Sequence, residues 1–288
     1  MHNTHRKYLN QALIYLIVIG IVIYVLSPYI WLIISSISTQ VDLIEIPLRW
    51  IPRNPTLENY SDIFMGTTNN TTDAASNFKY AFFNSAVVTI SVTFLSLIVG
   101  LIAAYAYARM DFRGKKQSFY LTLMTQMIPP IALIIPLYML VLKFNLTNKK
   151  ITLILIYLSL VLPFVIWIMK GYLASIPVEL EESARIDGCS RMRSFVKIIL
   201  PLATPGLAAT TIFAFIMSWN EFFYALNFTT TTNAKTLPVV ITEFSSKFGA
   251  DFIMTSTGGV ITSLPPVLLA LIFQKYIVAG MTAGSVKG

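Results

Sequence analysis

The chain has 288 residues, 56% of them hydrophobic and 12% charged, with a formal net charge of +8 at pH 7 and a mean hydropathy of +0.70. Soluble domains carry about 25% charged residues. Here the apolar residues gather in blocks about as long as the roughly 20-residue helix that crosses a bilayer, which excludes an ordinary soluble enzyme. The blocks do not alternate apolar and polar positions, so an outer-membrane barrel is excluded too. The bases flank apolar blocks, so membrane topology accounts for the positive charge better than nucleic acid does.

Taken in chain order, the basic tail holds Arg6 and Lys7 and both histidines, His2 and His5, and is expected to be unstructured. Span 1 covers about 13–37; its apolar core is longer than that of a cleaved signal, so it reads as a retained span, with Pro28 placed to kink it. An outer segment, 38–83, is proline-rich and then polar. Its Asn70-Thr71-Thr72 matches a glycosylation acceptor, a pattern that Asn/Thr-rich stretches often produce. Span 2 covers about 86–107 and span 3 about 119–142. Pro129, Pro130 and Pro136 interrupt the backbone ladder of span 3, which a membrane helix tolerates only where neighbours or water satisfy the freed carbonyls. Spans 4, 5 and 6 cover about 151–169, 205–226 and 260–277, the last containing Pro265 and Pro266. The fold expected is all-α, a single bundle of six spans with no separate soluble domain.

Six spans put both termini on one side. With the N-terminus inside, Arg109, Arg113, Lys115, Lys116, Lys170, Arg185, Arg191, Arg193 and Lys197 all fall on cytoplasmic segments, and the longer outer segments carry fewer bases. That places both termini in the cytoplasm. Lys143, Lys149 and Lys150, in a short outer loop, run against the trend.

The most charged stretch is "PVELEESARIDGCSRMRSFVKIILP", Pro177 to Pro201, between spans 4 and 5. Pro177 suits a first helical turn. Glu179, Glu181 and Glu182 follow where the helix dipole favours negative charge. Leu173, Ile176, Leu180 and Ala184 are spaced as an apolar stripe. Gly188 is suited to the positive-φ position that ends a helix, and Ser190 to capping the next one. Phe195, Ile198, Ile199 and Leu202 share a face of that second helix. The segment over about 173–200 is thus a helix–turn–helix bracket at the cytoplasmic surface, its first arm exposing acids. By composition it is equally a docking knob for a partner groove or a solvated connector.

Polar residues inside spans mark pathway candidates: Gln126, Ser159, Ser218, Asn220 and Glu221. Glu221 reads either as a gate or as a residue satisfied between helices. Trp219, Phe223 and Tyr224 are placed to stack on a ligand or to sit in the interfacial belt. The single cysteine, Cys189, cannot form an internal disulfide, and no cluster has metal-ligand spacing.

Glu182-Ser183-Ala184, three residues, Gly188, nine residues, then Ile198-Ile199-Leu200-Pro201 resembles the cytoplasmic motif of permease subunits from binding-protein-dependent ABC importers. Ser183 departs from the usual central alanine, and Cys189 from the usual small residue after the glycine. "PRNPTLENYSDIF", "MIPPIALIIPLYML", "SWNEFFYAL", "KTLPV" and "FQKYIVAGMTAGSVKG" resemble the shorter permease of the maltose-type branch, over essentially the whole chain.

That resemblance implies a type I importer permease. Its partners would be a second, homologous permease, two ATP-binding subunits that carry ATP and magnesium, an extracellular sugar-binding protein, a carbohydrate substrate and lipid. Neither a cofactor nor a catalytic residue is expected in this chain, and no nucleic acid. ATPase coupling falls on Glu181, Glu182, Ser183, Ala184, Arg185, Asp187 and Gly188. Contact with the binding protein falls on the outer loop around Lys235, Thr236, Lys247 and Phe248. Contact of the C-terminal tail with the ATPases falls on Ala283, Gly284, Ser285, Val286, Lys287 and Gly288. The expected location is the cytoplasmic membrane of a bacterium or archaeon, and the expected cargo a di- or oligosaccharide, with a glycerol phosphoester as the alternative. "FRGKKQS" lacks the first glycine and the Ser/Thr of a phosphate-binding loop. A secondary transporter would show internal repeats and buried ion-coupling acids, and neither is evident in the sequence.

Overall fold

The computed structural model describes residues 2–47, 49–66, 74–246 and 249–283. In chain order the helices are α1 (His2–Ser36), α2 (Gln40–Ile44), α3 (Glu58–Met65), α4 (Ala74–Arg109), α5 (Lys115–Met124), α6 (Pro130–Lys143) and α7 (Lys150–Ser175). They continue as α8 (Glu179–Ile186), α9 (Arg191–Ser194), α10 (Leu200–Leu202), α11 (Thr204–Trp219), α12 (Phe223–Phe228), α13 (Leu237–Glu243) and α14 (Phe252–Ala283). A 3₁₀ turn at Thr125–Met127 extends α5, and a π turn at Phe195–Ile199 joins α9 to α10. Two two-residue strands, β1 (Ser245–Ser246) and β2 (Gly249–Ala250), pair antiparallel. The protein is all-helical apart from this clip.

Among the described residues four helices are long and apolar enough to cross a bilayer, within α1, α4, α7 and α14. Two bent pairs raise the number to six if each counts as one span: Lys115–Met127 with Pro130–Lys143, at 96°, and Arg191–Leu202 with Thr204–Trp219, at 78°. The third apolar block is therefore not one straight span over 119–142. Pro129 and Pro130 offer no N–H, and the residue before a proline is pushed to extended backbone; Ile128 sits at φ −75°, ψ 121°. The fifth block ends early as well. Its helix stops at Trp219, and a separate short helix, α12, takes up residues that the sequence assigns to the same span. The basic tail is not a loose extension, since α1 is helical from His2. The Asn70-Thr71-Thr72 pattern lies outside the described residues.

The chain divides into two compact units, Met1–Lys79 with Ile241–Ser263, and Tyr80–Val240 with Leu264–Gly288. In the first, the end of α1 is tied to the segment around α3. Asn59 donates to the carbonyls of Ser36 and Ser38 at 2.9 and 3.1 Å, and the Tyr60 hydroxyl meets Ser36 Oγ at 2.7 Å. Thr39 and Asp42 form a reciprocal cap on α2. Hydrogen bonds from the Thr39 side chain, and then from the backbone of Thr39 and Arg53, hold the Asp42 carboxyl below its ordinary value of 3.8.

The second unit has its core on α7. Leu153, Tyr157, Val161, Val165, Met169 and Leu173 recur at four-residue spacing, all 1% exposed or less. They pack against Val88, Val92 and Ala104 of α4, Ala214 of α11, and Tyr224 and Phe228 of α12. A Cβ added to Gly206 of α11 would lie 2.3 Å from the Tyr172 ring, so only glycine lets α11 approach α7 this closely.

Candidate functional site

The bracket forms as local chemistry dictates. Helix α8 ends in a turn in which Cys189 N–H donates to the Ala184 carbonyl at 3.0 Å and Gly188 N–H to that of Arg185 at 3.1 Å. This is the paired bonding of a left-handed helix terminus, and Gly188 supplies it at φ 87°. Arg193 N–H then donates to Ser190 Oγ at 3.3 Å, capping α9. An open cleft of about 590 Å³ lies between the two arms, lined by Glu182, Arg185, Gly188 and Arg191 among others. Glu182, Ser183, Arg185, Asp187 and Gly188 are all exposed around it.

Two residues depart from the sequence expectation. Leu180 is exposed, not part of the apolar stripe, whereas Glu181 is 6% exposed and points inward beside buried Ala184. The reason is the break between α7 and α8 at Ile176–Val178, which resets the helical phase. Of the counted stripe, Leu173, Ile176 and Ala184 are buried and only Leu180 gives way, to Glu181.

Glu181 is buried because α4 answers it. Tyr105 donates its hydroxyl proton to Glu181 Oε1. Arg109 Nε lies 3.6 Å from Glu181 Oε2, with both side chains almost fully buried. Arg109 Nη2 donates to the Ile176 carbonyl at 2.6 Å. The Tyr105 ring packs on Phe195, of the second arm, with centroids 4.5 Å apart. Removing one partner of a buried pair leaves an uncompensated charge, at a cost of about 3–5 kcal/mol. Nearby, the Lys170 ammonium lies 3.7 Å over the Phe119 ring, joining α7 to α5.

A second site lies where the bent pairs meet α7. Pro130, Ile131, Leu160, Glu221, Phe223 and Tyr224 line a cleft of about 360 Å³. Glu221 caps α12, its carboxylate accepting Tyr224 N–H at 2.8 Å and Ala225 N–H at 3.2 Å. Its backbone carbonyl also accepts from the Tyr157 hydroxyl of α7 at 3.5 Å. Gln126 Nε2 donates to the Leu160 carbonyl of α7 at 3.0 Å. Of the two, Glu221 lines the cleft, and Gln126 reaches it only through its bond to Leu160. Ser159 is exposed and bonded to its own helix, Ser218 is buried and bonded to Ala214, and Asn220 is exposed at the end of α11. Trp219 is 2% exposed and stacked on Phe215, and Tyr224 is equally buried, which leaves Phe223 as the aromatic with an open face at the cleft.

At the other end of α4, two asparagines that the sequence reading missed organise the loops. Asn84 Nδ2 donates to the carbonyls of Thr232 and Lys235, and Asn84 Oδ1 accepts from Lys150 Nζ at 3.1 Å. Asn148 Oδ1 accepts the N–H groups of Thr230 and Thr231 at 2.6 and 3.1 Å. Leu237 N–H donates to Ser85 Oγ at 2.8 Å. The loop is therefore folded back, and Thr236, expected at a partner contact, is 2% exposed. The usable signal was the positive-φ preference of Asn in a short loop; Asn148 sits at φ 57°. Lys247 and Phe248 lie outside the described residues, as do Gly284, Ser285, Val286, Lys287 and Gly288 of the tail; Ala283 ends α14.

The family described as binding-protein-dependent transport system inner membrane component matches residues 96–283, which contain both sites. The chain belongs to this family. It is a permease component of a transport system, not an enzyme. It is 33% identical to the diacetylchitobiose uptake system permease protein DasC of Streptomyces coelicolor, over 91% of each chain. It is 34% identical to the trehalose/maltose transport system permease protein MalG of Thermococcus litoralis, over 98% of this chain and 99% of that one. Among solved structures, a chain of a bacterial ABC transporter involved in import of the acidic polysaccharide alginate superposes with a TM-score of 0.74 at 20% identity, covering 92% of this permease and 95% of that chain. That likeness shows that the fold is shared.

Proposed function

We propose that this permease is one of the two membrane subunits of an ATP-driven importer for a di- or oligosaccharide. The observation that carries the reading is the exposed Glu182–Gly188 face of α8, held in fixed shape by the capped turn below it. A rigid knob of this kind suits a groove on an ATP-binding subunit, which would bring ATP and magnesium. A second, homologous permease completes the path, and an extracellular binding protein delivers the cargo. The cleft at Glu221 and Phe223 has the composition of a sugar subsite, an aromatic wall with few polar groups. The sugar names of the relatives support the cargo class. The grouping of bases supports a cytoplasmic bracket and cytoplasmic termini; along α4, Arg109 at the bracket and Asn84, which accepts from Lys150, are roughly 25 residues and about 38 Å apart.

The test is uptake of labelled trehalose, maltotriose and chitobiose into vesicles holding the reconstituted complex. Uptake should require ATP inside and the binding protein outside, and Glu182→Lys should abolish it. Uptake that runs on an ion gradient without ATP would overturn the reading.

A further inference from the structure

The bracket is covalently joined to α7 on one side and to α11 on the other, yet its only buried charge is committed to neither. Glu181 faces α4, and two residues one turn apart on α4 receive it: Tyr105 through its hydroxyl and Arg109 through its guanidinium. The same two residues reach the rest of the bracket. Arg109 holds the Ile176 carbonyl at the entry to α8, and the Tyr105 ring lies on Phe195 at the start of the π turn in the second arm. Both arms of the bracket therefore close on one helical turn of α4.

We infer that Tyr105 and Arg109 are positioning residues that lock the bracket to α4, so that a pull on the exposed face of α8 moves α4 as well as the two helices joined to it by the chain. The inference rests on the reading of α8 as the ATPase contact. Three features carry it. The pair is buried, so water cannot replace a broken partner. Arg109 Nε and Glu181 Oε2 have no hydrogen-bond partner among the described residues, so neither atom has an alternative to the other. And α4 is packed tightly enough to move as a body: a Cβ on Gly100 would lie 2.6 Å from Val165 of α7. A chain in which apolar contacts alone seated the bracket would let α8 slide against α4, because such contacts are non-directional. A buried charge held by one directional hydrogen bond from Tyr105 and by the ion pair with Arg109 resists that slide.

The experiment uses the full complex reconstituted with its ATPases and its cognate binding protein. The readout is the factor by which the binding protein stimulates ATP hydrolysis. Arg109→Gln and Glu181→Gln should leave the ATPases bound, as judged by co-purification, and cut that stimulation about tenfold, within the usual range of coupling free energies. Tyr105→Phe, which keeps the ring on Phe195 and loses only the hydroxyl, should fall between these variants and the wild type. Wild-type stimulation in Arg109→Gln and Glu181→Gln would overturn the inference. Should Arg109→Gln fail to reach the membrane, Glu181→Gln decides, since it keeps the size of the side chain and an acceptor for Tyr105. Glu182→Lys separates the two levels: if that complex keeps its ATPases and full stimulation, the reading of α8 itself fails, whatever Arg109 does.

Discussion

Consecutive carboxylates on α8 have opposite fates, and the difference of one position sets what each can do. Glu182 is exposed at the cleft between the arms, and Glu181 is buried against α4. Gly188 is the residue on which this placement depends, because the turn fixes the angle between the arms. Its φ of 87° is open to glycine and tolerable to asparagine, and a Cβ there would meet no atom within 4 Å. The cost of substitution is therefore backbone strain alone, of order 1–3 kcal/mol. Gly188→Asn should keep most of the coupled uptake and Gly188→Val should lose most of it, measured in reconstituted vesicles. Equal loss in both would show that space, not conformation, is the constraint. Much of this scale was legible in the sequence. Gly188 and Ser190 act on their immediate neighbours, so their roles follow from type and position. Glu181 was not legible, because its partner Tyr105 lies 76 residues away and nothing local reveals the break that turns it inward.

At the scale of elements, the apolar blocks gave the helices their places and the prolines marked where they fail, but not by how much. A right-angle bend at Ile128–Pro130 and the end of α11 at Trp219 both depend on what receives the freed backbone groups. Gln126 and Glu221 sit at these breaks, and their bonds are to carbonyl and N–H groups of other turns. Polarity inside a span thus identified the two residues, while their partners came only from the fold. The helix pair at the centre, α7 and α11, meets over Gly206 without room for a methyl group. Gly206→Ala should lower the midpoint of thermal unfolding in detergent, at a cost of about 1–3 kcal/mol typical of overpacking. Tyr172→Ala in the same chain should restore part of the loss. If Gly206→Ala unfolds at the wild-type temperature, the two helices are not held at this distance.

For the whole molecule, orientation in the membrane is the property most economically tested. Cys189 is the chain's one cysteine and lies half-exposed in the turn of the bracket. A membrane-impermeant maleimide should label it in inside-out vesicles and leave it untouched in intact cells, and bound ATPase subunits should protect it. Labelling in intact cells would reverse the assigned topology. The grouping of bases offers no role for Lys150, which runs against that trend; in the fold it donates to Asn84 Oδ1.

The division between Glu181 and Glu182 also governs how this protein can change over generations. Glu181 answers to Arg109 in the same polypeptide, so a substitution at one must be matched by a second mutation in the same gene. Glu182 faces outward, and under the proposed function, in which α8 seats in an ATP-binding subunit, a change there has to be matched in that subunit's gene. Side by side on one turn of helix, the two acids tie this permease to two separate lines of compensating mutation, one within its own gene and one shared with a partner.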